Sequence, residues 1–397
     1  MIQTLLFVSI LSTCCFAQLV THNNDNTSLS SVQIKDLLDF NKWKYQHGKK
    51  YFNADEANFR QLIYLMNLQK FNEHNSNPNN TYKVATNQFS DLSQEEFESL
   101  ILNSALIKES KARILQNKDS NNNSNHTSSN TNNNNKNNST NTNNNNNKNN
   151  STSSSNSTNT INNNKTNPNP NPPVNQLKVV PQSVDWRIQG KVSPVKDQGR
   201  CGCCWAFSAT ALAESVNLMR NNTLQQYSEQ ELVDCTNNQY QEDYSSLGCG
   251  GGWAYNALVY MQRKGIFLES QYPYKAQNGV CNNATSASRQ KAFFAKDQII
   301  IDTSVNITNS LQYALSKQPV SVKVDSRYWN SYSSGVFSNC LSDGWYVDHV
   351  VLLVGYTKEG NWIVKNSWGT NWGQSGYIYL APGNTCNLSV TPVITSI

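Results

Sequence analysis

The chain has 397 residues, only 37% hydrophobic and 15% charged, with a formal net charge of +5. A low apolar fraction without high charge means that a polar uncharged block dilutes an otherwise core-forming sequence of about two to three domains. From Val180 onward Lys/Arg and Asp/Glu nearly balance, 16 against 15, and no run of five or six basic residues exists, which excludes nucleic acid as a partner class.

In chain order, residues 1–17 carry an apolar run from Leu5 to Cys15 that ends Cys15-Phe16-Ala17. The run is too short for a bilayer span, and the small residue at Ala17 suits signal peptidase, so a secretory signal is expected, although no Lys or Arg precedes the run. No later stretch is long and apolar enough to span, so the mature chain is expected to be soluble and free of membrane.

From Ser31 to Lys111 the pattern is helical. Val32, Leu37, Phe40, Trp43 and Tyr45 recur near a 3.6-residue period, as do Phe59, Ile63, Met66 and Phe71. Asn53 and Asp55 can cap the second helix, and the Asn75 to Asn80 stretch with Pro78 ends it. A short strand at Lys83 to Ala85 follows, then a helix from Gln94 to Leu106 capped by Ser90-Asp91 or Ser93. Residues 117–173 are almost entirely Asn, Ser and Thr. They cannot bury enough apolar surface to offset ordering entropy, so 112–179 reads as a disordered linker.

Residues 180–397 can form one compact unit. Helices are expected at Cys204 to Met219 and after Ser228. Strands are expected at Val320 to Val324, His349 to Val354, Asn361 to Lys365 and Gly376 to Leu380. Helices followed by antiparallel strands imply an α+β architecture of two lobes with a cleft between them. All cysteines beyond the signal lie after residue 200, and their number in a secretory chain implies disulfides. Six paired cysteines would allow 15 connectivities. Asn221, Asn283, Asn306 and Asn387 are sequons for N-glycosylation.

The chemistry concentrates in Gln198-Gly199-Arg200-Cys201-Gly202-Cys203-Cys204-Trp205. It sets a cysteine at a helix start, where unpaired N–H groups and the dipole favour the thiolate. Thiolate attack on an amide also needs an acid for the leaving amine and donors for the oxyanion. His349 opens an apolar strand and Asn366 lies in Lys365-Asn366-Ser367-Trp368-Gly369, both roughly 150 residues downstream. A C-x-x-C spacing at Cys201–Cys204 could instead signal thiol–disulfide exchange. Trp205 follows the pair rather than preceding it, however, and no βαβ pattern surrounds it. No recurrent His or Cys pairs suggest zinc.

With these motifs the chain resembles the papain-like cysteine peptidases of the cathepsin L-like subfamily. The similarity extends to Asp185-Trp186-Arg187, Pro194 to Gly199, Gly248 to Gly252, and Asn366 to Gly373. In the N-terminal block, Glu56, Arg60, Tyr64, Asn67, Phe71 and Asn75 resemble the interspersed helix motif of the family's inhibitory propeptide. Asn87 to Asp91 resembles its second motif, with Ala85 in place of the usual glycine.

The resemblance implies a papain-like fold: a helical left lobe and an antiparallel β-barrel-like right lobe, 180–397, preceded by a mainly helical inhibitory prodomain, 31–111. It implies Cys204 as nucleophile, His349 as acid–base partner in a thiolate–imidazolium pair, Asn366 as orienter and Gln198 in the oxyanion hole. Trp368 would shield the Asn–His bond. Gly251, Gly252, Trp253, Ala254, Val347, Asp348, Val350 and Thr391 would bind substrate and favour a hydrophobic residue two positions before the scissile bond. Implied disulfides are Cys201–Cys249, Cys235–Cys281 and Cys340–Cys386.

Cys203, where the family has Ser or Ala, is then an extra thiol. It reads as a small stand-in, with oxidation sensitivity through Cys204 as the alternative. Lys323 replaces a small apolar residue, and snorkelling to solvent is preferred over a role in binding acidic residues. The loop Thr236 to Leu247, with Glu242 and Asp243, reads as a surface insertion. The expected protein is a monomeric, glycosylated zymogen of an endopeptidase, in a lysosome-like compartment or secreted. Polypeptides are its substrates, its own prodomain its inhibitor, and it needs no cofactor or metal.

Overall fold

The computed structural model describes residues 31–127, 179–237, 244–282, 284–286, 288–341 and 344–397. The expected signal peptide, most of the Asn-rich segment, Asn283, Glu242 and Asp243 lie outside these. Among the described residues no helix is long and apolar enough to cross a membrane.

Helices α1 (Ser31–Gln46) and α2 (Ala54–Ser76) open the structure. Asn53 caps α2 by accepting from the Glu56 amide at 2.8 Å, and Asp55 and Glu56 complement the positive helix end. The two helices meet through Phe40, Trp43 and Tyr64, whose rings lie 5.0–5.8 Å apart. Tyr45, Phe59 and Met66, expected in the apolar stripe, face solvent. One crossing of two helices buries only a narrow seam, and the rest of α2 docks through polar side chains instead. Asn67 donates to the Ser90 and Leu92 carbonyls, and Asn75 brackets Val84 by donating to its carbonyl and accepting from its amide.

Strand β1 (Tyr82–Val84) is followed by α3 (Gln94–Ile101), which starts with a capping box between Ser93 and Glu96. This helix was expected to continue to Leu106. It stops at Leu102–Asn103, and α4 (Ser104–Thr127) begins afresh. The break is imposed from outside: the Asn103 amide donates to the Asp348 carbonyl at 2.8 Å, and Asn103 Oδ1 accepts from Leu106 as a new cap. Helix α4 runs past the expected boundary at 111, so the first part of the linker read as disordered is helical up to Thr127.

Beyond β2 (Val184–Asp185), α5 (Cys204–Asn221), α6 (Glu229–Cys235) and α7 (Ala254–Lys264) form a helical lobe. Its core gathers Trp205, Leu212, Val216, Tyr227, Leu258 and Met261. The second lobe holds β3 (Ile299–Ile300), α8 (Ile307–Leu315), β4 (Val320–Val324), β5 (Tyr332–Phe337), β6 (His349–Tyr356), β7 (Trp362–Lys365), β8 (Tyr377–Leu380) and β9 (Val393–Ile394). The sheet order is β1-β5-β8-β7-β6-β4-β9-β3, with β2 also on β6. It is mixed rather than antiparallel throughout, because β5 and β8 pair in parallel. Strand β6 is buried along its whole length, packed by α5 on one side and by the aromatic core of Trp329, Trp362 and Trp372 on the other.

The N-terminal block joins this sheet directly. Strand β1 extends the edge at β5, Tyr82 opposite Gly335, and Phe89, Leu92, Phe97, Ile101 and Leu102 enter the second lobe's core. Disulfides Cys201–Cys249, Cys235–Cys281 and Cys340–Cys386 are formed as expected. The loop expected as a surface insertion has buried ends: Tyr244 packs edge-on to Tyr260, and Ser246 bonds Thr236.

Candidate active site

The site lies where α5 of the first lobe faces β6 of the second. Cys204 is the first residue of α5, and His349 the first of β6, paired opposite Val324 of β4. His349 Nε2 is 2.8 Å from Asn366 Oδ1, and the Trp368 ring stacks on the imidazole at 4.7 Å. Because Asn366 Oδ1 can only accept, Nε2 carries the proton and Nδ1 is the free lone pair. Among the described residues Nδ1 has no hydrogen-bond partner. Gln198 comes from the loop ahead of α5. Its amide is tied to the Asn366 loop by Gln198 N–H to Ser367 O (2.8 Å), and its side-chain oxygen accepts from Ser367 Oγ (2.7 Å).

A polypeptide segment crosses this site. The Ile101 carbonyl accepts from Gln198 Nε2 at 2.9 Å, and Asn103 Nδ2 donates to the Gly252 carbonyl at 2.8 Å. Ser104 bonds the Gly250 carbonyl, and Ser110 Oγ bonds Val347 O at 2.9 Å. Gly202 and Gly251 permit this approach. A Cβ on Gly202 would stand 2.7 Å from the Leu102 carbonyl, and one on Gly251 2.0 Å from Asn103 Oδ1.

The covering segment sets the electrostatics. Burial pushes the Cys204 thiol up to about 12, against opposing hydrogen bonds from Val350 and Asn103, and pushes His349 down to about 4 despite Asn366. Both groups are therefore neutral near pH 7, which corrects the expected thiolate–imidazolium pair for this covered state. Water excluded from the cleft can solvate neither charge.

The expected substrate residues divide. Trp253, Ala254, Val350 and Thr391 line a cavity of about 300 Å³ next to the site, together with Lys323 and Ser321. Val347 does not line it; its backbone is held by Ser110 instead. Asp348 offers its backbone carbonyl to the cleft, while its side chain turns inward to the Ser326 N–H and Oγ. Burial, with Asp325 beside it, pushes that carboxyl well above the usual range. Cys203 is fully buried, its Sγ 2.9 Å from the Tyr274 hydroxyl, which in turn donates to the Gln198 carbonyl. It braces the Gln198 loop, as a serine could. Asn387, expected as a glycan acceptor, is buried with its amide donating to the Tyr346 carbonyl, so the folded chain cannot carry a sugar there. Asn221 and Asn306 are exposed.

Sequence reasoning missed Asn103, Ser326 and Ser367. Asn103 alone left a signal: Asn-Ser ahead of Ala105-Leu106-Ile107 is a helix-start pattern inside an apparently continuous helix.

Comparison with known proteins agrees with this geometry. Residues 180–396 match the family described as papain family cysteine protease, and residues 40–97 match the cathepsin propeptide inhibitor domain (I29). The chain belongs to the papain family of cysteine proteases, and carries its own propeptide inhibitor domain. Caricain from Carica papaya is 34% identical, over 94% of this chain and 90% of its own length. A putative cathepsin L 3 from Paramecium tetraurelia is 32% identical, over 90% and 91%. Digestive procathepsin L 3 of the Tenebrio molitor larval midgut superposes with a TM-score of 0.67 at 28% identity, covering 91% of this chain and 99% of that one.

Proposed function

We propose that the chain is the zymogen of an endopeptidase that cleaves polypeptides through a thioester, with Cys204 as nucleophile and His349 as acid–base partner. One observation carries this: a peptide segment already lies across the site, with its Ile101 carbonyl on the Gln198 amide. A substrate carbonyl in that place would be polarised by Gln198 Nε2 and by the free N–H groups at the start of α5.

With the prodomain gone and water admitted, the thiol proton passes to His349 Nδ1, the unpartnered nitrogen. The imidazolium keeps its Nε2 proton on Asn366 under the Trp368 ring. Cys204 Sγ then adds to the scissile carbonyl, and the oxyanion collapses to a thioester as Nδ1 protonates the leaving amine. Water, deprotonated by His349, hydrolyses the thioester and returns the thiol.

The export-type N-terminus and the disulfides favour a secretory route to an acidic lysosome-like lumen or the exterior. Asn221 and Asn306 are the accessible glycan acceptors there, and the enzyme acts as a monomer. The test is active-site labelling of acid-treated, reduced protein with an epoxysuccinyl probe, followed by peptide mapping. Stoichiometric adduct on Cys204, gained only after loss of the region before Val180, is the expected result. Label on Cys203, or none on folded and processed protein, overturns the assignment.

A further inference from the structure

The cavity beside the site has an uneven lining. Trp253, Ala254, Val350 and Thr391 give it apolar walls, but Lys323 and Ser321 project into it from the same face of β4. Lys323 stands opposite Val350 in the β4–β6 register, on the same face as that wall of the cavity.

No ion pair among the described residues engages Lys323; the charges that act on it, Glu109 and Arg113, both lie on α4 and pair with each other at 2.6 Å. Glu109 also accepts from Trp253 Nε1 at 3.2 Å, at the rim of the same cavity. Burial lowers the Lys323 pKa, Glu109 opposes that, and Arg113 adds to it. Removal of α4 takes this paired carboxylate and guanidinium away together and leaves Lys323 half-buried in an apolar-walled pocket, with no counter-charge among the described residues. Such a charge favours a ligand that restores its counter-charge.

We propose that Lys323 makes this cavity a subsite for an acidic substrate side chain, glutamate in particular, two residues before the scissile bond. This rests on the peptidase assignment above and reverses the solvent-directed role expected for Lys323 from sequence. The aliphatic stem of glutamate meets Val350 and Ala254 while its carboxylate meets the Lys323 ammonium.

The test uses enzyme activated from the full chain and three fluorogenic peptides that differ only at that position: Glu, Gln and Leu. At pH 6, where a peptide glutamate is ionised, kcat/KM for Glu is expected to exceed that for Gln by about tenfold. Lys323→Met should abolish this advantage, with full labelling of Cys204 by the epoxysuccinyl probe as the sign that the variant folds. Equal rates on Glu and Gln in the unsubstituted enzyme, or a Glu advantage that survives Lys323→Met, overturn the proposal. Failure to cleave any of the three by folded, processed protein overturns the peptidase assignment itself.

Discussion

Two parts of the prodomain hold the enzyme in different ways. From Tyr82 to Phe97 it is anchored by pairing of β1 with β5 and by aromatic packing, with Phe89 and Phe97 edge-on to Trp368 at 5.6 and 5.3 Å. From Ile101 to Ser104 it crosses the reacting groups: the Ile101 and Leu102 side chains still reach the second lobe's core, while polar bonds run to Gln198, Asp348, Gly252 and Gly250. Burying a large aromatic side chain is worth several times the net value of one hydrogen bond. The anchor therefore supplies most of the affinity and the crossing supplies the blockade. Within the crossing, Asn103 and Ser104, which hold by polar bonds, are the weakly held residues.

Four measurements would break or sharpen this contrast. The largest effect is expected for Cys204→Ala, which should lower peptidase activity at least about a thousandfold. It should leave the prodomain resistant to added protease, because the thiol contributes little to docking.

In that inactive background Phe97→Ala, at a position with no exposure, should weaken docking by about 3–5 kcal/mol. Faster release of the prodomain in limited proteolysis is the readout, and an unchanged rate would count against the anchor.

The pH dependence comes next. In the same Cys204→Ala background, where no thiol shares the proton, burial holds the docked His349 at about 4, below the ordinary 6.5 expected of an uncovered imidazole. The undocked state then binds more protons between these values, so docking should weaken as pH falls from about 6.5 to about 4 and change no further below that. His349→Gln should remove that part of the pH dependence, measured as prodomain release against pH. The smallest effect belongs to Asn103→Ala, about 1–3 kcal/mol, because it leaves the buried Gly252 carbonyl without its donor. A loss as large as that of Phe97→Ala would erase the distinction between anchor and crossing.

The anchor was more legible in the sequence than the crossing, for a physical reason. Asn53, Ser93 and the α2 periodicity act locally, so caps and helix starts could be read from neighbours alone. Strands β4, β6, β7 and β8 are apolar runs and were visible as such. Strand β5, Tyr332-Ser333-Ser334-Gly335-Val336-Phe337, has little intrinsic strand character and exists because β1 and β8 flank it. The break at Leu102–Asn103 is likewise tertiary: local propensity favours one helix, and bonds to Asp348 and Gly252 override it. Cys204, His349, Asn366 and Gln198 stood out through their order along the chain. The neutral state of the first two did not, because it depends on a covering segment far away in sequence.

The pairing of β1 with β5 has a consequence for the enzyme after maturation. Loss of the prodomain strips one strand from the sheet and leaves β5 as its edge, with backbone donors and acceptors unsatisfied by protein. An uncovered edge is a template for association with other extended chains. Here the new edge is six residues long, with exposed Ser334 and Gly335 at its centre. A short, polar edge of this kind offers a second copy little apolar surface to stack on, which disfavours edge-to-edge pairing of the released enzyme.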